Sequence, residues 1–327
     1  MKAYRAHRLS GPQAVKLAEA EEPRPGPKDV VIAVEAAGLQ LADYATLAGE
    51  RPPRPKLPLT PGLEVAGRVV ARGAQADGPD IGSAVVAFVP WGGLAQQAVT
   101  RSEACAAIPA ALSMVNAAAL PFAYGGALMV LKGRAALRKG QSLLVMGAGG
   151  TLGLAAVAIG KALGATVIAA ANGASRLAYA KELGADHTLD AGLVSVATAA
   201  KDLTGGEGVD VVFDPVGGEA STHALPVLKP GGRLVLAGFA GGRPQPLDVV
   251  PLYARGATLV AANFVLDAER DPAAAGAALA KVVKWVEEGK FAPRVAAQFS
   301  FEEVGPAFDY VAGRRGSGAV IVKVDAS

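Results

Sequence analysis

Hydrophobic and polar positions follow two different patterns along the chain, and the change falls near residue 120. Before that point, short runs of β-forming residues alternate with turn residues, as in VKLAEAE, DVVIAVEAAG, EVAGRVVARG and SAVVAFVPWGG. Proline-rich stretches at 23–27 and 51–61 separate these runs. This alternation predicts an irregular β-rich domain rather than repeated β-α-β units.

From Gln141 the pattern becomes strand, turn and helix, repeated. The apolar runs SLLVMGA, ATVIAAA, GVDVVFDPVGG, GRLVLAGFAGG and ATLVAANF predict strands, and TLGLAAVAIGKALG and SRLAYAKELG predict helices. Apolar strands separated by helices indicate a parallel sheet buried on both faces. After Phe264 the chain continues with an Ala-rich helix, the strand VAAQFS, a further helix and the strand GAVIVKV. This tail returns to the mixed texture of the first part, so we expect it to rejoin the first domain.

Composition narrows the class of protein without identifying a function. Of the 327 residues 51% are hydrophobic and 19% are charged, and the net charge is +3, which is typical of a globular protein. Lys and Arg are scattered, so no nucleic-acid partner is expected. The single Cys105 excludes an intrachain disulfide and a zinc site with two Cys ligands. The N-terminus lacks a hydrophobic signal core, and we expect no apolar run long enough for a membrane span, so a cytoplasmic protein without membrane partners is predicted.

The segment VMGAGGTLGLAAVAIG carries the strongest chemical signal in the chain. Its glycines lie between an apolar strand and a helix, where small residues let the backbone approach a pyrophosphate and the helix start directs N–H groups at it. Gly153, one turn into the helix, is expected to allow close packing of helix on strand. The order strand, turn, helix and second strand favours dinucleotide binding over a purely structural turn. The predicted cofactor-binding residues here are Ala148, Gly149, Gly150, Thr151, Leu152 and Gly153.

The end of the second strand bears on which dinucleotide is bound. Sites for NAD usually place an acid there to accept from the ribose 2′-OH, but this strand ends in Ala-Ala-Asn172. Ser175 and Arg176 follow at the start of the next helix, where a hydroxyl and a guanidinium suit a 2′-phosphate. We therefore predict NADPH, bound in part by Asn172, Ser175 and Arg176. The alternative is that Arg176 is a solvated cation, and Asp190 would oppose the phosphate if it lay close.

The whole set of segments resembles one protein family. AAGLQLADYATLAG, LPLTPGLEVAG, ALPFAYGGALMVL, GAGGTLGLAAVAIGKALGA, KELGADHTLD, GVDVVFDPVGG and KPGGRLVLAGFAGG are similar to the medium-chain dehydrogenase/reductase superfamily, and most of all to its zinc-free quinone oxidoreductase branch, the relatives of zeta-crystallin. The resemblance implies an α/β fold with a GroES-like catalytic domain at 1–121 and 266–327 and a Rossmann domain, a doubly wound parallel sheet, at 122–265. It also implies NADPH in the cleft between the domains, and a homodimer joined through the Rossmann sheets.

Two residues distinguish this chain from the zinc alcohol dehydrogenases of that superfamily. Those enzymes have a Cys in the position that resembles Gln40 and a His in the position that resembles Leu63. Leucine cannot bind a metal and glutamine is a poor zinc ligand, so no metal is predicted. Without a Lewis acid to hold an alkoxide, an acceptor that spreads the incoming charge over a conjugated system is favoured.

The resemblance also implies residues near the reacting atoms. Gln40 stands where the family usually has Asn, an amide that orients the nicotinamide or the substrate oxygen, and Tyr124 lies where relatives line the cleft. Tyr44 is predicted either to donate to the forming oxyanion or to be a core aromatic. For Asp43 a helix cap is favoured over a catalytic role. The catalytic candidates are Gln40, Tyr44 and Tyr124; the further cofactor-lining residues are Val216, Gly238, Phe239 and Phe264.

Three functions remain open from the sequence. The leading one is zinc-independent, NADPH-dependent hydride transfer to a quinone or a similar conjugated carbonyl acceptor, with the electron count unresolved. The first alternative is an NADPH-dependent double-bond reductase acting on enones or 2-enoyl thioesters. The second is a non-catalytic NADPH-binding protein, or an RNA-binding or structural crystallin-like protein. Glu64, an acid in an apolar run, is predicted to be structural and paired with a cation or with backbone N–H groups.

Overall fold

A computed structural model of the protein describes residues 1–51, 54–242 and 245–324. The chain divides into two compact units, the first formed by Met1–Gly126 with Val265–Ser327 and the second by Ala127–Phe264. The division expected from the sequence differs from this one over residues 122–126 and at Val265. Both units contain strands and helices, and the fold class is α/β, as predicted.

The described residues form strands and helices in the following order. The strands are β1 Lys2–Ala6, β2 Val15–Glu19, β3 Asp29–Leu39, β4 Glu64–Arg72, β5 Ala84–Phe88, β6 Gln97–Arg101, β7 Cys105–Ala107, β8 Ser142–Val145, β9 Thr166–Ala171, β10 His187–Asp190, β11 Val209–Asp214, β12 Leu228–Leu236, β13 Thr258–Ala261, β14 Val295–Phe299 and β15 Ala319–Lys323. The helices are α1 Leu41–Leu47, α2 Met114–Ala118, α3 Gly126–Leu128, α4 Thr151–Ala162, α5 Ala174–Glu182, α6 Val196–Asp202, α7 Glu219–Ala224, α8 Val250–Arg255, α9 Phe264–Arg270, α10 Pro272–Glu287 and α11 Val304–Ala312.

The first unit is built on a seven-stranded mixed sheet. Its strand order is β14-β15-β3-β4-β5-β7, with β6 also paired to β3, and β1 and β2 form a separate antiparallel pair. The long strand β3 is central because it pairs antiparallel with β4, β6 and β15. Its apolar residues Val30, Ile32 and Val34 are buried in one core with side chains of β4, β5 and α11. Strand β15 brings the C-terminal part of the chain into the same sheet.

The helix between the two units in sequence contains π-helical turns. Residues Pro121–Gly125 and Met129–Arg134 are π-helical, and α3 lies between them. The continuous helix Met114–Arg134 is 21 residues long, and its most apolar window has a mean hydropathy of 1.6. By length and composition it could therefore cross a membrane. The expectation that no apolar stretch is long enough was therefore wrong. Since 78% of its most apolar window is buried inside the protein, it has the character of a core helix.

The second unit is a six-stranded sheet in which each pair of neighbours is parallel. The order β10-β9-β8-β11-β12-β13 places the first strand of the unit, β8, in the middle. The chain therefore progresses outward from β8 in one direction through β9 and β10, then in the other through β11 to β13. This reversal is the topological switch point at which open α/β sheets bind ligands. Strand β10 was not predicted, because it is only four residues long and its sequence, HTLD, is mostly polar.

Candidate functional site

The turn between β8 and α4 lies beside the switch point of the second unit. The backbone N–H of Gly150 donates to the Gly147 carbonyl at 3.0 Å, and Gly150 then caps α4. A Cβ added at Gly153 would lie 2.2 Å from the Gly147 oxygen, so only glycine permits this contact between helix and turn. The turn therefore has the backbone approach and the helix N-terminus that suit a pyrophosphate.

The first turn of α5, which follows β9, brings Arg176 against this glycine turn. A Cβ added at Gly149 would lie 2.6 Å from the Cβ of Arg176, so the arginine side chain begins directly beside the glycine. Asn172, between β9 and α5, and Ser175, in the first turn of α5, are both exposed. The positive charge and these polar groups therefore lie on the β9 side of the glycine turn, where the adenosine ribose of a dinucleotide is read.

Asp190 lies at the same end of the sheet. It ends β10 in register with Ala171 of β9, and its Oδ2 accepts from the backbone N–H of Gly173 at 3.2 Å. Its Oδ1 accepts from the N–H of Gly192 at 3.0 Å. Whether this acid lies near the β9–α5 turn was open from the sequence, and the hydrogen bond to Gly173 shows that it does. A negative charge therefore lies beside the turn that leads into α5, the helix that carries Arg176.

The loops after β11 and β12 form the opposite side of the glycine turn. A Cβ at Gly147 would lie 2.6 Å from Cγ2 of Val216, so the valine contacts the turn directly. The N–H of Gly241 donates to the Val216 carbonyl at 2.7 Å, which joins the two loops. Gly238 and Phe239 belong to the second loop, and Phe239 is 48% exposed. Phe264 is buried and begins α9.

In the first unit, Gln40 is bound to Glu64. Gln40 Nε2 donates to Glu64 Oε1 at 2.5 Å, and the backbone N–H of Phe122 donates to Oε2 at 2.7 Å. A Cβ added at Gly38 would lie 2.1 Å from Glu64 Oε1, so this glycine makes room for the carboxyl group. The predicted backbone N–H partner of Glu64 is confirmed, and the second partner is an amide. Glu64 thus links the residue before α1 to the π-helical turn that carries Tyr124.

A second buried acid lies close to the first. One oxygen of Asp43 accepts from the N–H of Gln40 and the other from the N–H of Gly62, each at 2.9 Å, which confirms the capping role. Burial raises the pKa of Asp43 to about 6, although those two N–H groups and the charge of Arg51 oppose the rise. Burial likewise raises the pKa of Glu64 to about 8, and the nearby charge of Asp43 adds to this. At neutral pH the Glu64 carboxyl is therefore mainly protonated.

The two tyrosine candidates occupy different environments. Tyr44, in the first turn of α1, is partly buried and packs against the core of the first unit. Tyr124 is only 2% exposed and stacks on Phe291 with ring centroids 5.2 Å apart. Its hydroxyl oxygen accepts from the backbone N–H of Arg294 at 3.3 Å, and burial raises the pKa of Tyr124 to about 12. This position favours packing over proton donation for Tyr124, and leaves Tyr44 the more accessible of the two rings.

The residues present do not suit a zinc ion where relatives of the zinc branch bind one. Leu63 is 1% exposed and has no donor atom, and the amide nitrogen of Gln40 is directed at Glu64. Within the described ranges 1–51, 54–242 and 245–324, no three His, Cys, Asp or Glu side chains are grouped so that they could hold a metal ion.

Asp214 has no role predicted from the sequence, although it ends β11 just ahead of the loop that contains Val216. Its side chain is completely buried and accepts hydrogen bonds from that loop. An acid at the carboxyl end of an apolar strand, followed by Pro-Val-Gly-Gly, was the available signal.

A β-rich GroES-like unit together with a parallel sheet in this order and a glycine turn after its first strand defines a class of proteins. The chain belongs to the quinone oxidoreductase branch of the medium-chain dehydrogenase/reductase family. Residues 26–127 match the alcohol dehydrogenase GroES-like domain, and residues 151–280 match the zinc-binding dehydrogenase domain.

Individual relatives agree with this assignment. The chain is 31% identical to quinone oxidoreductase-like protein 2 of Bos taurus over 98% of its own length and 93% of that protein. It superposes on the quinone oxidoreductase of Thermus thermophilus, solved alone and with NADPH, with a TM-score of 0.85 and 32% identity, covering 99% and 100% of the two chains. It is also 28% identical, over 95% of its length, to 14% of a phenolphthiocerol/phthiocerol polyketide synthase subunit of Mycobacterium tuberculosis.

Proposed function

We propose that this protein is a zinc-independent oxidoreductase that transfers hydride from NADPH to a quinone or a similar conjugated carbonyl compound. The observation that carries the proposal is the placement of Arg176 against Gly149 in the β8–α4 turn. A guanidinium beside a pyrophosphate turn, on a strand end without an acid, suits the 2′-phosphate that distinguishes NADPH from NADH. The NADPH complex of the Thermus thermophilus relative supports the same choice.

The residues of the second unit fit the dinucleotide by shape and charge. The turn residues Ala148–Gly153 would face the pyrophosphate, and Asn172, Ser175 and Arg176 the adenosine ribose and its phosphate. Val216, Gly238 and Phe239 lie on the β11 and β12 side, where the nicotinamide half would extend. When bound, NADPH supplies a hydride at the nicotinamide C4 position. The protein's own groups hold and orient it.

The class of acceptor follows from the first unit. The alkoxide that forms when a simple ketone is reduced normally needs a Lewis acid or a strong proton donor, and neither Leu63 nor Gln40 supplies one. A quinone or an enone delocalises the charge that arrives with the hydride, so it reacts with few catalytic groups if it is well oriented. We propose Gln40 and Tyr44 as the groups that orient the acceptor. The raised pKa of Glu64, caused by burial, keeps a proton beside the Gln40 amide at neutral pH.

Turnover of an acceptor panel tests this proposal. Quinones, enones, 2-enoyl thioesters and simple ketones are each mixed with the protein and with NADPH or NADH, and nicotinamide oxidation is followed by absorbance. We expect turnover of quinones with NADPH, weaker turnover with NADH and none of simple ketones. Added zinc and a zinc chelator should leave the rates unchanged. Turnover of ketones that the chelator abolishes contradicts the proposal.

A double-bond reductase is the second candidate function. The similarity to a segment of a polyketide synthase supports it, as does the shared requirement for hydride transfer to a conjugated system. The two functions differ after the hydride step, since a double-bond reductase must protonate carbon. Turnover of enones and 2-enoyl thioesters without any turnover of quinones would establish this second function in place of the first.

We further propose that the protein is a homodimer joined through the second unit. Strand β13 is at an edge of the parallel sheet, and α8, which precedes it, leaves Val250 and Tyr253 64% and 88% exposed. Leu259 on the edge strand itself is 40% exposed. An open edge with apolar neighbours is a surface that a second copy can cover. Sedimentation should show a dimer that Leu259→Lys dissociates; a monomeric wild type contradicts the proposed dimer.

A cytoplasmic location without membrane or nucleic-acid partners stays a prediction.

A further inference from the structure

Asp214 is a buried acid with three hydrogen-bond donors around it. Its Oδ1 accepts from the backbone N–H groups of Val216 at 2.8 Å and Gly217 at 3.0 Å. Its Oδ2 accepts from the hydroxyl of Ser221 at 2.5 Å. A carboxylate that is 0% exposed is stable only with such partners, so the loop and the acid depend on one another.

These hydrogen bonds determine the shape of the loop that follows β11. Because both N–H groups point back at the strand end, the segment Pro215–Gly218 curls over Asp214 instead of extending away. The loop after β12 then joins it, since Ala240 N–H donates to the Pro215 carbonyl at 3.0 Å. Val216 is left with its side chain against Gly147 of the glycine turn. Asp214 therefore determines where Val216 lies relative to that turn.

The position of β11 in the sheet shows which part of a dinucleotide this loop would meet. Strand β9, which carries the ribose-reading turn, is on one side of β8, and β11 is on the other. A dinucleotide bound across a switch point extends its two halves over opposite sides of the first strand. The loop that Asp214 shapes is therefore on the side of the nicotinamide half.

We propose that Asp214 is a positioning residue that holds the Val216–Gly217 turn in the shape that receives the nicotinamide half of the dinucleotide. This inference rests on the proposed function, because it requires that the second unit binds NADPH. Asp214 is not a catalytic residue, since its side chain is fully buried beneath the loop.

The rival explanation is that Asp214 only stabilises the fold, and Asp210 at the other end of the same strand provides the matched control. Asp210 is 6% exposed and accepts from the Ser142 backbone N–H and hydroxyl, each at 2.9 Å. It also pairs with Lys229. These contacts tie the starts of β8 and β11 together, at the end of the sheet away from the loops. Asp210→Asn therefore weakens the same strand without altering the Val216 loop.

The test compares two ligands on the full-length protein. NADPH occupies both halves of the site, whereas adenosine 2′,5′-bisphosphate occupies only the adenosine half. Dissociation constants for both are measured by isothermal titration for the wild type, Asp214→Ala, Asp214→Asn, Ser221→Ala and Asp210→Asn. The quantity of interest is the ratio of the two constants, because a general loss of folded protein leaves that ratio unchanged.

We expect Asp214→Ala to weaken NADPH about tenfold while the bisphosphate changes by no more than about twofold, since hydrogen bonds to a charged group typically correspond to a factor of ten or more. Asp214→Asn keeps an acceptor oxygen and should retain most of the wild-type affinity for NADPH. Ser221→Ala removes one of three donors, and we expect the ratio to change about threefold. Asp210→Asn should lower the thermal midpoint and leave the ratio unchanged.

Other results overturn the inference. If Asp214→Ala weakens both ligands equally or neither, Asp214 does not position the nicotinamide side. If that variant does not fold, Ser221→Ala decides, and an unchanged ratio is then the negative result. A wild-type protein that binds neither ligand refutes the proposed NADPH function itself, which separates the two failures.

Discussion

Replacing Glu64 with glutamine tests how the buried acid of the first unit is held. The folded-state pKa is about 8, above the ordinary value of 4.5, because burial disfavours the charged form. A group with a raised folded pKa takes up a proton on folding. Its contribution to stability is complete below the unfolded pKa and is lost as the pH rises through the folded value. The unfolding free energy of the wild type should therefore decrease as the pH rises. Glu64→Gln has no proton to release at this position, so its unfolding free energy should not show this decrease.

The magnitude follows from the size of the shift. Between the two pKa values the wild type loses about 1.4 kcal/mol of unfolding free energy per pH unit through this group. The unfolding free energy of the wild type minus that of Glu64→Gln should thus decrease by roughly 2 kcal/mol between about pH 5.5 and about pH 7. The titration of Asp43 occurs in both proteins and largely cancels in the difference. The glutamine oxygen can accept from the Phe122 N–H, and its NH2 group pairs with Gln40 once the Gln40 amide turns to present its oxygen.

The assay is urea denaturation of both proteins at several pH values without cofactor. Glu35→Gln is the control, because Glu35 is on the neighbouring strand β3 and pairs with Arg68 at 3.3 Å on the surface. Its difference from the wild type should change much less across the same range. A difference between the wild type and Glu64→Gln that is independent of pH would refute the reasoning, since Glu64 would then be ionised in the folded protein.

Three further predictions concern the second unit. Arg176→Ala should weaken NADPH about tenfold to a hundredfold and leave NADH nearly unchanged, as measured by fluorescence titration, because a charge-assisted pair with the 2′-phosphate is lost; equal losses for both exclude Arg176 from that site. Gly153→Ala should lower the unfolding free energy by about 1–3 kcal/mol, since its Cβ would meet the Gly147 carbonyl at 2.2 Å, and a variant as stable as the wild type in urea contradicts the close packing. Asp190→Asn should raise the affinity for NADPH over NADH about threefold, because a negative charge beside the Gly173 N–H is removed; an unchanged preference places Asp190 too far from the phosphate to act.

The sequence predicted most elements of the fold because their signals are local. The apolar run SLLVMGA, the glycines after it and the helix that follows are all neighbours in sequence, and they appear as β8, the turn and α4. The parallel sheet of the second unit and the fold class were confirmed for the same reason. Strand β10 was missed because HTLD has neither an apolar run nor β-branched alternation. It is a strand because pairing with β9 supplies its hydrogen bonds.

The candidate site was only partly predictable. The types of residue at Gly153, Gln40 and Leu63 already argued for a dinucleotide turn and against a zinc ligand set. The partners of Glu64 were not evident, because Gln40 and Phe122 are 24 and 58 positions away from it in sequence. No local pattern identifies such partners.

The local pattern of residues was thus enough to predict most of the strands and helices, the glycine turn and the kinds of side chain available at each position. Three contacts became evident from the folded chain alone: Arg176 lies against Gly149, the carboxyl of Glu64 is shared between Gln40 and the helix backbone, and Asp214 accepts hydrogen bonds from the Val216 loop. This division arises because propensity and periodicity depend on neighbouring residues. Hydrogen bonds and burial depend on which distant segments the folded chain brings within a few ångströms.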